Sequence, residues 1–259
     1  MASSFVGRVR AVACGAIAVV LIFGWVSANP MKAEAAPDED ATIAMSLAEM
    51  LRAGRTVISN NQELINNPNL GDKGLSGDAV LLQALKIYQS TTGIDPATID
   101  PASRHGKLLR AQMDAIVEAT DANQATINAK GTGFKAFIPA VFARLVNEAF
   151  ERRAGSQALI KVTAPEQLVR NRKARPDGWE KEVITGKLLS PGWPNGQPYS
   201  AVVETNGRQA FRMMVPEYYK ASCLSCHGSP KGDMDVTGYP KEGGEENDLG
   251  AVISLVIFK

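Results

Sequence analysis

Two cysteines separated by two residues, with a histidine directly after them, form the stretch Cys223-Leu224-Ser225-Cys226-His227, which constrains this chain more than any other. That spacing is the one used for covalent attachment of c-type haem. Each thiol can add across one vinyl group of the porphyrin, and the two-residue spacer lets both sulfurs reach neighbouring vinyls. The histidine then lies beneath the iron with an imidazole nitrogen to donate. Ser222 and Gly228 flank the motif and are small, which suits close approach of backbone to a flat macrocycle.

Other chemistries also use paired thiols. A zinc site needs two more Cys or His ligands, and the chain offers only His105 and Cys14. A thioredoxin-like redox pair sits near a βαβ pattern, whereas here a hairpin-like segment precedes the motif and a Gly-rich loop follows it. A plain disulfide is the third alternative. We adopt one covalently bound haem c, anchored by Cys223 and Cys226 with His227 as the proximal iron ligand.

The N-terminus bears on the compartment. Arg8 and Arg10 form a basic start, Ala11 to Val26 is an almost unbroken apolar run, and Ala33-Glu34-Ala35 fits a small-x-small cleavage site. This is a secretory signal pattern over residues 1–35. A retained membrane anchor is the alternative, because the apolar run is near the lower limit for spanning a bilayer. Cleavage removes Cys14 and leaves Cys223 and Cys226 as the whole thiol inventory, with nothing over for disulfides. Both features point to export and to the periplasm. Arg8, Arg10, Lys32 and Glu34 leave with the signal, so the +1 formal charge of the full chain becomes −1. No basic patch recommends nucleic acid. No strong field steers a charged partner, and the length left suits one domain over residues 36–259.

The periodicity of the first part, about residues 41–155, is helical. Ile43, Leu47, Met50, Leu51, Gly54, Val57 and Ile58 recur at three- and four-residue steps, and Asn66-Asn67-Pro68-Asn69 ends that pattern. Ala79 to Tyr88 predicts a second helix. Leu108, Leu109, Gln112, Met113, Ile116 and Val117 predict a third. Phe137, Val141, Phe142, Leu145 and Phe150 predict a fourth, with Pro139 where a first turn tolerates it. Beyond Gly155 the segments shorten and alternate. Ala158 to Thr163 reads as a strand, and Asp177-Gly178-Trp179-Glu180 opens a short helix toward Leu189. Tyr199 to Thr205 and Arg208 to Val215 form a hairpin across Asn206-Gly207, a pair that favours a type I′ turn. Leu249 to Phe258 reads as a last strand. Helices followed by antiparallel strands predict an α+β fold.

Several of these stretches together resemble a family of exported single-haem c-type proteins of largely unassigned function. They are Arg55-Thr56-Val57-Ile58, Arg170-Asn171, Pro176-Asp177-Gly178-Trp179-Glu180, the haem motif with Gly228, and Asp248-Leu249-Gly250-Ala251-Val252-Ile253-Ser254. The resemblance runs from about Ala41 to Phe258. It implies a PAS-like core, with N-terminal helices packed on a small antiparallel sheet and the haem held between them. Related domains form the sensory part of some membrane histidine kinases. The resemblance also implies a distal cysteine from the N-terminal helical region, and here this chain departs from it, since its first helix has neither Cys nor His.

The sixth ligand is therefore open. His105 is the only other histidine, although Ser103-Arg104-His105-Gly106 reads as a polar loop entering a helix. Met213 and Met214 lie on the hairpin strand before the motif, where one should face the core by alternation alone. Met45 and Met50 on the first helix read as core fillers, and an empty position with Arg55 as a distal donor is a further alternative. Arg170, Arg172, Lys173 and Arg175 could meet haem propionates or simply be solvated. Tyr218 and Tyr219 could pack against the macrocycle, and Trp179 and Trp193 read as core anchors. Three functions follow: a sensor, redox-responsive or gas- or ligand-binding at an open sixth position, passing its signal to a separate signalling protein; a periplasmic electron carrier with a redox protein partner; and a peroxidase-like enzyme that also needs an open sixth position. With two histidines in the chain, distal acid-base chemistry is scarce, which ranks the enzyme last.

Overall fold

The computed structural model describes residues 1–2 and 38–259. The signal pattern, the alternative anchor and Cys14 lie outside the described residues. No helix among those residues is long and apolar enough to cross a membrane. The described residues 38–259 form one compact unit.

Helix α1 (Glu39–Asn60) begins at Asp38, whose carboxylate accepts from the Asp40 N–H, and Glu39 and Asp40 lie where the helix dipole favours acids. The helix ends earlier than its apolar pattern suggests. Asn61 leaves helical geometry, and its side-chain amide donates to the Val57 carbonyl. A single turn, α2 (Gln62–Ile65), then carries the pattern to Asn66.

Helix α3 (Gly77–Thr92) is longer than its apolar repeat, because Ser76 caps the Ala79 N–H and left-handed Gly93 closes the other end. Helix α4 (Arg104–Asp121) is capped by Ser103 and is followed by the turn α5 (Gln124–Ile127). Helix α6 (Pro139–Ala154) has Pro139 in its first turn and Arg152 and Arg153 in its last.

Strand β1 (Ala158–Thr163) matches its predicted limits. Helix α7 (Gly178–Val183) starts with a reciprocal box. Asp177 accepts from the Glu180 N–H, and Glu180 accepts from the Asp177 N–H. It continues as a π-helical turn to Leu188. Strands β2 (Tyr199–Thr205) and β3 (Arg208–Tyr218) form the hairpin, with positive φ at both Asn206 and Gly207, as a type I′ turn requires. The one-turn helix α8 (Leu224–His227) and strand β4 (Leu249–Phe258) complete the chain.

The sheet is wholly antiparallel in the order β1-β4-β3-β2. Alternation along β3 and β4 divides their side chains between two layers. Phe211, Met213, Val215, Ile253, Leu255 and Ile257 pack with Ile43, Leu47, Leu51, Phe142 and Phe150 of the helices. On the opposite face Met214 and Val252 pack with Val183, Ile184 and Leu188, flanked by Trp179, Trp193, Tyr199 and Tyr218. The chain is α+β, with N-terminal helices on a small antiparallel sheet, as the sequence pattern predicts.

Candidate haem-attachment site

The site starts where the central strands end. Strand β3 leaves β4 through a register irregularity at Glu217 and Tyr218. The Tyr219 N–H donates to the Asp248 carbonyl at 2.9 Å, and the Asn247 N–H donates to the Tyr219 carbonyl at 3.0 Å. These bonds pin the strand exit, and the chain turns off the sheet through a 3₁₀ turn, Ala221–Cys223, into α8. Helical spacing places residues three and four apart on one face. Cys223, Cys226 and His227 therefore share a side, and both thiols are free and half-buried. Among the described residues no cluster of three His, Cys, Asp or Glu could hold a metal ion.

His227 is held from three directions, two at its ring and one at its backbone. Its Nδ1 lies 2.9 Å from a Glu242 carboxylate oxygen. The Tyr219 ring stacks on it, with centroids 5.1 Å apart and planes 19° from parallel. Its carbonyl accepts from the Gly244 N–H at 2.8 Å. Tyr219 in turn is wedged between two glycines, since a Cβ on Gly250 would come within 2.2 Å of its ring and one on Gly244 within 2.6 Å. Burial, reinforced by the Glu242 charge, pushes the Tyr219 phenol up to about 12.

Arg170 organises the other side. Its Nε and Nη2 grip the two Glu242 oxygens at 2.8 and 3.0 Å, Nη2 also donates to the Cys226 carbonyl at 2.9 Å, and Nη1 reaches Asp235 at 2.6 Å. The guanidinium lies over the Tyr239 ring. Asp235, its side chain out of contact with solvent, also accepts from the Thr237 hydroxyl and from the Thr237 and Tyr239 N–H groups. Burial alone would raise both carboxyls. The hydrogen bonds from Arg170, with Thr237 at Asp235 and His227 at Glu242, outweigh it and hold both below the usual carboxylate range.

The other residues singled out from sequence go to different places. His105 stands at the start of α4, where neighbouring Arg104 donates to the Phe258 carbonyl and to Asp40. Phe258 closes β4 and Tyr219 packs at its opening, so the length of that strand, about 30 Å at roughly 3.3 Å per residue, separates His105 from the motif. Burial lowers the His105 pKa, and its Nε2 has no partner. Met213 and Met214 are packed on opposite faces of the sheet. They pair with Leu255 and Ser254, about 16 Å and about 13 Å respectively up β3 from Tyr218 on the same rise.

The structure brings none of these three side chains to the motif. Met50 is fully buried in the helical core and Met45 packs against it. Arg52 and Arg55 of α1 both ion-pair with Glu217, two residues before Tyr219, which brings α1 to the motif end of the sheet. The Arg55 Nε is buried there without a partner. Of the basic loop, Arg170 turns inward, whereas Arg172, Lys173 and Arg175 stay exposed. Trp179 stacks under the Arg212 guanidinium.

Glu242, Asp235 and Gly244 escape a motif reading because they touch the site only after the loop folds back, while Gly250 enters the sequence reading only within the closing stretch of the resemblance, with no contact assigned to it. A signal does exist. A metal-bound histidine ordinarily donates its second nitrogen to a carboxylate or carbonyl, and the loop after the motif is rich in acids. The fit to a haem can be judged on this geometry. Two free thiols and an imidazole lie on one helical face, and among the described residues the imidazole Nε2 makes no hydrogen bond. The residues present suit the group.

No curated protein and no solved structure is similar enough to this chain to be matched. The family described as Tll0287-like matches it over residues 32–259, which is nearly all of the chain described above. The chain belongs to the Tll0287-like family.

Proposed function

We propose that this is an exported, periplasmic single-haem protein with a PAS-like core, working in electron transfer or redox sensing. The observation that carries this reading is the state of His227. One ring nitrogen is engaged by a carboxylate while the other is free, within the same helical turn as two unpaired thiols. Cys223 and Cys226 would anchor the group and His227 would ligate its iron. A haem c held there would supply one-electron redox chemistry and, with an open distal face, a site for small ligands. The protein's own part is to orient the imidazole and to close the motif against the sheet end through Tyr219, Glu242 and Arg170. Export rests on residues 1–35 and their cleavage pattern, and the partner would be a redox protein or a separate signalling protein.

A second reading, ligand sensing at an open or exchangeable sixth position, is favoured by one arrangement. His105 lies at the far end of β4 and both strand methionines are packed in the core. Arg55 remains at the motif end of α1 with an unpartnered Nε.

The test is a visible spectrum of protein exported with c-type maturation machinery, oxidised, reduced, and reduced under carbon monoxide, with a haem stain of denaturing gels. The proposal expects covalent haem in the parent and none in the Cys223→Ala/Cys226→Ala double variant. Absence of haem from the parent would overturn it. A reduced spectrum indifferent to carbon monoxide would favour electron transfer, and a prompt shift would favour ligand sensing.

A further inference from the structure

We infer that Glu242 is the positioning residue of the proximal side: its carboxylate, gripped by Arg170, holds His227 as the Nδ1–H tautomer with Nε2 free. This rests on the haem reading for its consequence, but the tautomer itself is a property of the chain alone.

The argument is one of donors and acceptors. An ionised carboxylate only accepts hydrogen bonds. Both Glu242 oxygens take guanidinium N–H groups from Arg170, which is always charged and meets the carboxylate as a fork. The group that remains an acceptor toward His227 obliges Nδ1 to carry the proton. A neutral imidazole has one N–H and one lone pair, so fixing the proton on Nδ1 leaves the lone pair on Nε2.

Two further contacts prevent the ring from escaping this choice. Tyr219, lodged between Gly244 and Gly250, covers one ring face, and the Gly244 N–H fixes the His227 carbonyl. Arg170 also bonds the Cys226 carbonyl, so one guanidinium sets the carboxylate relative to the thiol-bearing turn. An anionic acceptor on the second nitrogen raises the basicity of an imidazole ligand. That favours the oxidised iron over the reduced and lowers the midpoint potential.

The test separates the tautomer from the haem. In full chain made without attachment machinery, nitrogen-15 NMR at mildly alkaline pH reads the protonated nitrogen of each of the two histidines, and His105→Gln assigns them. We expect His227 to show the Nδ1–H pattern and Glu242→Ala to shift it toward Nε2–H. An Nε2–H pattern in the parent, or an Nδ1–H pattern unchanged in a folded Glu242→Ala, overturns the inference whether or not haem attaches.

In haem-loaded protein, Glu242→Gln keeps the shape and removes the charge. It should retain covalent haem and move the midpoint potential upward, whereas Asp233→Asn, the same change at an exposed position of the loop, should not. An unmoved potential in Glu242→Gln, or an equal shift in Asp233→Asn, overturns the redox consequence. If the parent carries no covalent haem, the functional reading fails on its own while the NMR result stands.

Discussion

At the scale of single residues, the difference between the two histidines is a difference of partners. His227 has a carboxylate, a stacked ring and a backbone donor around it, whereas the buried Nε2 of His105 has nothing. The strand between them makes a shared iron untenable. His105→Gln should therefore leave the oxidised and reduced spectra of haem-loaded protein unchanged, and a loss of the low-spin bands in that variant would show that this placement is wrong.

The same comparison explains what could be read in advance. Cys223, Cys226 and His227 are legible because covalent attachment demands contiguous spacing. Glu242 is not, since its distance from His227 is set by a folded loop rather than by the helical repeat. Arg170 is legible as one of four basic residues and, with Asn171, as part of the resemblance, but its inward turn is not, and burial distinguishes it from its exposed neighbours. Met213 and Met214 show the limit from the other side. Alternation correctly put one on each face, but it does not say how far up the strand they stand from the motif.

Among the elements, those governed by local chemistry lie where the residues put them. The Asn206-Gly207 turn, the Asp177 box and the Ser103 cap each satisfy backbone groups within a few residues, and the limits of β1 and β4 follow from alternating apolar runs. The π-helical turn after Val183 and the break at Asn61 were not legible, because each depends on which side chain or carbonyl reaches an end group in the folded chain.

Glycine in β4 is the clearest case of an element shaped from outside. Gly250 sits in a strand, where glycine is ordinarily a weakness, and its bare Cα is what admits the Tyr219 ring. Gly250→Ala should displace Tyr219 from His227, destabilise the fold by about 1–3 kcal/mol as overpacking does, and change the haem spectrum. Urea unfolding and visible spectra check both. Full stability with an unaltered spectrum would mean that the close approach is not required.

The molecule as a whole places its candidate site at the rim of its own core. Helices cover one sheet face and the α7 segment the other, so the strand ends near Tyr219 are where backbone leaves the packed layers. Ion pairs close that rim and the sheet beside it. Arg52 and Arg55 meet Glu217, Arg170 meets Glu242 and Asp235, and Arg212 meets Asp177 and the buried Glu180. Removing one member of such a pair leaves an unmatched charge, and acid does this to all of them together.

At Asp177, as at Asp235 and Glu242, burial would raise the carboxyl. The Glu180 N–H and Arg212 outweigh it and hold it low. A carboxylate depressed in the folded state contributes stability that is complete above its unfolded pKa, about 4. That contribution is lost as pH falls toward the folded value, because there the unfolded chain binds more protons. Stability to urea should therefore be level from neutral pH down to the ordinary carboxylate range and then fall steadily. In hydrogen exchange, the Thr237 and Tyr239 amides that bond Asp235 should lose protection over the same interval. Protection that persists through strong acid would mean that the Arg170 network does not hold the loop, and that the imidazole of His227 owes its orientation to the stacked tyrosine instead.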